Sequence, residues 1–201
     1  MHPQGENRGH RTDARGLVIP HGNWPAGREA PPPLEPVRRF VNTVNLESGA
    51  DLLGAPSELS AWGRTEGLPG AGRPTWDELA QVHRLRGLLR RAVEDGGASA
   101  ELSTFASAYP VQLVLHPQAS VRPSGRGIEQ FISALIISAH TAMSDGTFSR
   151  LTRCSNDHCR WVVFDHSKRG NIRWCAEAAC GSRARARAYR ARKGAQIGAA
   201  G

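Results

Sequence analysis

Residues 153–183, RCSNDHCRWVVFDHSKRGNIRWCAEAACGSR, contain every cysteine of the 201-residue chain. The cysteines form two C-x4-C pairs, Cys154 with Cys159 and Cys175 with Cys180. Two local pairs of thiolates joined by a loop of this length can surround one zinc ion tetrahedrally, with Zn–S bonds of about 2.3 Å. We therefore predict one structural Zn²⁺ ion with these four cysteines as its ligands.

Two other uses of the cysteines remain open. Two disulfides need the same number of cysteines, but the N-terminal residues lack the apolar segment of a signal peptide, which favours a reducing, cytoplasmic location. Iron is also compatible with four thiolates. Four protein thiolates around zinc leave no coordination position for water or substrate, so the ion is expected to stabilise the fold and not to catalyse a reaction.

The segment between the two cysteine pairs is predicted to be a β-hairpin. Trp161–Phe164 is apolar and rich in β-prone residues, and residues 165–171 have the composition of a turn. Ile172–Trp174 is expected to return as the second strand and to bring Cys175 beside Cys159. The two tryptophans would cover the metal core, since a unit of fewer than about 40 residues usually needs a metal or a disulfide to fold.

An arginine-rich helix is predicted after the last cysteine. Residues 183–193 have high helix propensity, and Ser182 is a good N-cap. From Arg150 onward the chain carries 12 Lys or Arg and three Asp or Glu, a local charge of +9 against +8 for the whole chain. The rest of the chain is therefore nearly neutral.

A cationic helix mounted on a zinc module is typical of proteins that contact nucleic-acid phosphates. A helix that is merely solvated is the alternative, because most runs of charge serve solubility. The predicted nucleic-acid contacts are one stripe of the helix at i, i+4 and i+7 and three cations of the hairpin: Arg183, Arg187, Arg190, Lys168, Arg169 and Arg173.

The region before the cysteines is predicted to be a mostly helical α+β domain with a short β-hairpin. Its most regular helix starts at the capping box Thr75-x-x-Glu78 and continues to about Val93, with its arginines on a solvated flank. Val111–His116 and Ser120–Pro123 are the predicted strands. Further helices are expected within residues 36–45, 57–62, 99–108 and 128–145. Residues 1–33 and 194–201 are expected to be disordered tails.

Polar residues near the start of this domain form a second candidate site. Asn42 and Asn45 follow the apolar Phe40 and Val41 and could line a small-molecule pocket, although a helix end and a turn need the same residue types. The sequence contains no P-loop, GxGxxG, GxSxG or HExxH motif, so an enzyme is not expected. No stretch approaches the roughly 20 apolar residues of a membrane span.

The cysteine-rich region resembles a CGNR zinc finger. The similar residues are the four cysteines with Arg160-Trp161, Asp165-His166-Ser167, Arg173-Trp174 and the final Cys180-Gly181-Ser182-Arg183, where Ser182 replaces the asparagine of the family signature. The segment Phe40–Ser48, together with Asp51, Leu59–Trp62 and the arginine-rich helix at residues 85–91, is similar to the ABATE domain that precedes such fingers.

The resemblance implies an ABATE-like α+β domain over residues 34–150 and a zinc-bound module over residues 151–193. It also implies a bacterial transcriptional regulator, with DNA favoured over RNA as its partner. The alternative is a zinc-stabilised module that binds a ligand or a protein, or that senses redox state or metal, without binding nucleic acid.

Overall fold

The computed structural model describes residues 27–198, with side chains as far as Lys193. Most of the predicted N-terminal tail (1–33) and the last three residues of the predicted C-terminal tail (194–201) lie outside this range. Within it, both tail boundaries require correction. The main-chain carbonyl of Arg28 accepts a hydrogen bond from Phe164, Ala30 is buried, and the last helix continues to Gly198.

The fold is α+β and mostly helical, as predicted. Each helix predicted from the sequence is present, and the capping box of Thr75 and Glu78 forms in both directions at the start of the longest one. The helices are α1 Glu35–Val41, α2 Pro56–Thr65, α3 Trp76–Asp95, α4 Ala100–Ala106, α5 Ile128–Ser144 and α6 Ser182–Gly198. The strands are β1 Val111–Val114, β2 Ser120–Pro123, β3 Leu151–Arg153 and β4 Val162–Phe164.

The main core lies between α1, α2, α3 and α5. Three aromatic rings meet there, Phe40, Trp62 and Phe131, with centroids 5.8 to 6.3 Å apart. The backbone of the α2–α3 loop approaches the start of α5 so closely that a Cβ on Gly70 would lie 2.0 Å from the carbonyl oxygen of Gly127. Gly70 also has a φ of 82°, so both space and conformation require glycine here.

The predicted second strand of the zinc module is wrong. β4 pairs with β3, which precedes the first cysteine, in the register Leu151 with Phe164 and Arg153 with Val162. Residues 172–174 have no strand conformation. The physical reason is burial: Leu151 is part of the main core, so the segment before Cys154 is held beside β4 by packing that local sequence does not reveal.

β4 connects the two parts of the protein because its side chains alternate between two cores. Val162 and Phe164 pack in the main core, whereas Val163, and Trp161 just before the strand, pack around the cysteines. Successive residues of a strand point to opposite faces, so one short strand contributes to both cores. The zinc module and the helical domain are therefore packed as a continuous structure.

A buried asparagine and an arginine fasten this strand to the helices. The Asn42 side chain donates to the Val162 carbonyl over 2.6 Å and accepts from the Val162 N–H over 2.9 Å. Arg90 of α3 donates to the carbonyls of Val41 (2.5 Å) and Arg160 (2.8 Å). Burial lowers the pKa of Arg90 to about 10, which leaves it charged at neutral pH.

The expected solvated flank of α3 is wrong for Arg86 and Arg90, whereas Arg84 and Arg91 are exposed as expected. Arg86 is buried, and its guanidinium binds both carboxylate oxygens of Asp51 at 2.6 and 2.7 Å and the Thr43 hydroxyl at 2.8 Å. Burial alone would raise the pKa of Asp51, but the hydrogen bonds and charge of Arg86 hold it below its usual value. These arginines therefore connect elements of the fold. Within residues 27–198, no helix combines the length and apolarity needed to cross a bilayer.

We expect Asn42→Ala to destabilise the protein by roughly 2–4 kcal/mol, since it leaves the Val162 N–H and C=O unpaired and each buried unpaired group costs about 1–3 kcal/mol. The measurement is chemical unfolding followed by circular dichroism. Asn45→Ala is the control, with a loss of about 1 kcal/mol or less, because Asn45 only caps a partly exposed turn. Equal losses in the two variants would contradict the role given to Asn42.

We expect Asp51→Asn to cost stability at pH 7 and progressively less as the pH falls below the usual carboxyl range. The folded-state pKa of Asp51 lies below its unfolded value, so its contribution is present above the unfolded pKa and is lost as pH falls through the folded pKa. Unfolding of both proteins across pH 3 to 7 tests this. A difference between them that does not change with pH would contradict it.

Candidate metal centre and basic helix

The four cysteines meet in a geometry that fits one zinc ion. All four Sγ atoms lie within 4.8 Å of one another, with 3.7 Å between Cys159 and Cys175 and 3.6 Å between Cys175 and Cys180. Zn–S bonds of about 2.3 Å in a tetrahedron place sulfurs about 3.8 Å apart. The cluster could therefore hold one zinc ion with little movement of the side chains.

The disulfide alternative is not what the structure shows. All four cysteines are free thiols. The sulfur separations of 3.6 and 3.7 Å are far beyond the roughly 2.05 Å of a disulfide bond. Three of the four side chains are at most 1% exposed, and Cys159 is half-buried. An interior group of thiols needs a cation to remain ionised together.

Hydrogen bonds among the thiols also prevent all four from being ionised together in the absence of a cation. Hydrogen bonds from Cys159 and Cys175 lower the pKa of Cys154 to about 2, while the hydrogen bond to Cys154 raises the pKa of Cys159 to about 12 and that of Cys175 further. One thiol therefore ionises readily and its neighbours keep their protons. Binding of zinc to four thiolates would displace these protons.

Main-chain hydrogen bonds preform the two cysteine loops. In the first loop, the amides of Cys159 and Arg160 both donate to the Asn156 carbonyl. Arg160 has a φ of 47°, and its guanidinium pairs with Glu94 of α3 at 2.6 Å, so α3 helps to hold this turn. In the second loop, the amides of Cys180 and Gly181 donate to the Ala176 carbonyl in a single turn of π-helix.

Asp165 organises the loop between the cysteine pairs. Its buried carboxylate accepts from the amides of Ser167 (2.7 Å) and Ile172 (2.9 Å). Burial would raise the pKa of Asp165, but these N–H donors and the nearby Arg150 hold it below the usual value. Arg150 also donates to the carbonyls of Asp165 and Ser167. The loop is thus held by Asp165, which follows β4, and by Arg150, which precedes β3.

Two arginines of the predicted phosphate-binding stripe are used within the protein. Arg183 donates to the Sγ of Cys180 over 3.3 Å and pairs with Glu47 of the helical domain at 3.0 Å. Arg187 donates to the side chain of Asn156 over 3.0 Å, and the Asn156 amide lies 3.5 Å from the Cys180 sulfur. These contacts fix the first two turns of α6 against the metal centre.

Arg185 pairs with Glu177 near the start of α6, and the cations of its outer part are free within the described part of the chain. Arg190, Arg192 and Lys193 are exposed and have no hydrogen-bond or ion-pair partner among the described residues. Ala188 and Ala191 are exposed as well, so the alanine-rich side of α6 does not lie against the zinc module. The helix projects from its anchored first turns as a cationic rod.

The three predicted hairpin cations are exposed on the loop between the cysteine pairs. Lys168 and Arg169 lie in its turn, and the guanidinium of Arg173 lies 5.3 Å from the ring centroid of Trp174. Neither Lys168 nor Arg169 has an ion-pair partner among residues 27–193. Nucleic-acid contacts by these residues stay a prediction.

The structure gives protein partners to both residues of the candidate ligand pocket. Both polar atoms of the Asn42 amide are bonded to Val162. The Asn45 side chain accepts from the amides of Glu47 (2.9 Å) and Ser48 (3.2 Å) in a turn. These are the helix-end and turn roles given as the alternative to a pocket.

Sequence reasoning missed Asn156 and Glu47 as supports of the centre. Asn156 is 2% exposed although it lies in an otherwise polar cysteine loop. Its position between the ligands Cys154 and Cys159 could have indicated this supporting role, because metal ligands are commonly oriented by neighbouring amides. The contact of Glu47 with Arg183 spans 136 residues, and nothing in the local sequence indicates it.

Comparison with protein families identifies both the helical domain and the zinc module. A family model described as "Putative stress-induced transcription regulator", ABATE, matches residues 34–143. The model of the CGNR zinc finger matches residues 150–193. No curated protein matches the chain. The resemblance and the single structural zinc are thus confirmed, and the finger match favours zinc over iron for the four cysteines.

We expect Cys175→Ala to lose zinc and to unfold the finger, because three thiolates cannot complete the site and the loop residues lose their shared core. Zinc content by elemental analysis and limited proteolysis measure the two effects. Val163→Ala is the matched control, since it removes packing around the cysteines but no ligand, and it should keep one zinc per chain. Full zinc retention in Cys175→Ala would refute the ligand assignment.

Proposed function

We propose, because the chain belongs to the ABATE family and carries a CGNR zinc finger, that it is a transcriptional regulator whose finger binds DNA. The phosphates are contacted by the outer part of α6 and by the loop between the cysteine pairs. The zinc ion supports this surface and takes no part in catalysis, since four thiolates fill its coordination shell. We place the protein in the cytoplasm, where thiols stay reduced.

The observation that carries the proposal is that the first arginines of α6 bind protein groups while its outer cations are exposed. Arg183 and Arg187 are held by Cys180, Glu47 and Asn156, so the helix is fixed in direction. The cations beyond them have no partner among the described residues and face solvent. A rigid support with uncommitted positive charge gives phosphate binding without the entropic cost of ordering a flexible tail.

The structure changes which residues we assign to DNA. The predicted stripe placed Arg183, Arg187 and Arg190 together, but the first two are engaged near the metal. The proposed contacts are therefore Arg190, Arg192 and Lys193 of α6 with Lys168, Arg169 and Arg173 of the loop. This surface is suited to phosphates and carries no argument for reading a particular base sequence.

We expect replacement of Arg190, Arg192 and Lys193 by alanine to weaken binding to duplex DNA and to reduce its salt dependence. Each lost phosphate contact lowers the slope of log K against log salt by about 0.9, so the slope should fall by roughly 2 to 3. Fluorescence anisotropy across a salt series measures this. Zinc content and the unfolding midpoint should not change, because these side chains have no described protein partner.

A charge-matched control separates a local contact from a general effect of net charge. Arg64, Arg73 and Arg126 are exposed on the helical domain and have no side-chain partner among the described residues. Their triple alanine variant loses the same charge, and we expect it to keep most of the salt slope. Equal loss in the two triple variants would remove α6 from the proposed interface. No binding of the intact protein to DNA or RNA at low salt would overturn the proposal.

A further inference from the structure

A cleft of about 540 Å³ lies between the β1–β2 hairpin and the helices α4 and α5. We call it the hairpin cleft. One wall is formed by Leu113 and Val121, which are opposite each other in the strand register and therefore lie on the same face of the hairpin. The other wall is formed by Ala106 of α4 and Ile137 of α5. None of the cysteines lines the cleft.

The hairpin exposes apolar side chains toward this space. Leu113 is 72% exposed and Val121 is 41% exposed, although both belong to a strand face that could have been closed against α5. A two-stranded hairpin is only marginally stable alone, so this one depends on its contact with the helices. Uncovered apolar surface between two opposed walls is a feature of ligand clefts.

Several polar side chains at the cleft have no protein partner within the described part of the chain. Among the cleft-lining residues, Tyr109, His140 and Thr141 have side-chain polar atoms with no hydrogen-bond partner in the described structure. Burial raises the pKa of Tyr109, so its hydroxyl remains a donor. His140 also lines a smaller adjoining space of about 130 Å³ beside Leu102 and Met143. The lining includes no Asp, Glu, Lys or Arg, which disfavours a charged ligand.

We propose that the hairpin cleft binds a neutral, largely apolar small molecule that carries a hydrogen-bonding group directed at Tyr109 or His140. Its volume lies within the roughly 300–1,000 Å³ of small-molecule sites. A second copy of the chain fits less well, because a stable protein interface buries about 800 Å² per partner and this wall consists of a few side chains. The site is independent of the proposed DNA contacts.

The test uses the full-length zinc-loaded protein and N-phenyl-1-naphthylamine, a neutral fluorophore whose emission shifts to the blue in apolar sites. We expect saturable binding of one probe per chain. Leu113→Ser should weaken it about tenfold, since one apolar wall contact can change affinity by that factor. Ala106→Trp fills the cleft and should abolish binding. An unchanged unfolding midpoint and zinc content show that each variant is folded.

Leu115→Ser is the matched control. Leu115 is 81% exposed and follows the same hairpin strand, but it does not line the cleft, so its variant should bind like the unaltered protein. Equal weakening in Leu113→Ser and Leu115→Ser would mean adsorption to exposed apolar surface and would overturn the proposal. So would absence of saturable binding, or a dimer in sedimentation experiments that Leu113→Ser dissociates while no probe binds. DNA binding measured in the same variants keeps this outcome separate from that of the finger.

Discussion

The structure depends on β4, a three-residue strand that is buried on both faces. Val162 and Phe164 fill the main core, and Val163 fills the core around the cysteines. The Asn42 amide satisfies both backbone groups of Val162 on the edge that β3 does not cover. Without that amide, the strand would have an unpaired edge inside the protein, which is costly. The helical domain therefore stabilises the zinc centre through β4, and the zinc centre stabilises the helical domain through the same strand.

Much of the local structure follows from the sequence because it is set by neighbouring residues. The Thr75 and Glu78 capping box, the Ser99 cap and the first β-hairpin depend on contacts within a few residues. The metal ligands were also predictable, since spacing alone brings each pair together. The approach of one cysteine pair to the other depends on contacts between residues distant in sequence. Four thiols in one short segment nevertheless have few uses other than metal binding.

What could not be predicted is where charged and polar groups find distant partners. Arg86 and Arg90 have the residue type and spacing of a solvated helix flank, yet Arg86 is buried beside Asp51 and Arg90 is half-buried and bonded to two backbone carbonyls. A helical stripe shows which residues share a face but not what that face contacts. Arg183 and Arg187 are aligned as expected, and the structure turns part of that face toward the cysteines.

The contact of Arg183 with both Glu47 and Cys180 connects the helical domain with the zinc centre and with α6. Glu47 belongs to the segment 44–51, whose other end carries Asp51 and its ion pair with Arg86. Coupling between distant sites requires an element whose arrangement both sites affect. Segment 44–51 contacts α3 on one side and the anchored turn of α6 on the other. Because both side chains of the Arg183–Glu47 pair are nearly half exposed, the pair contributes at most about 1 kcal/mol, and the direction of α6 depends mainly on its contacts with Cys180 and Asn156.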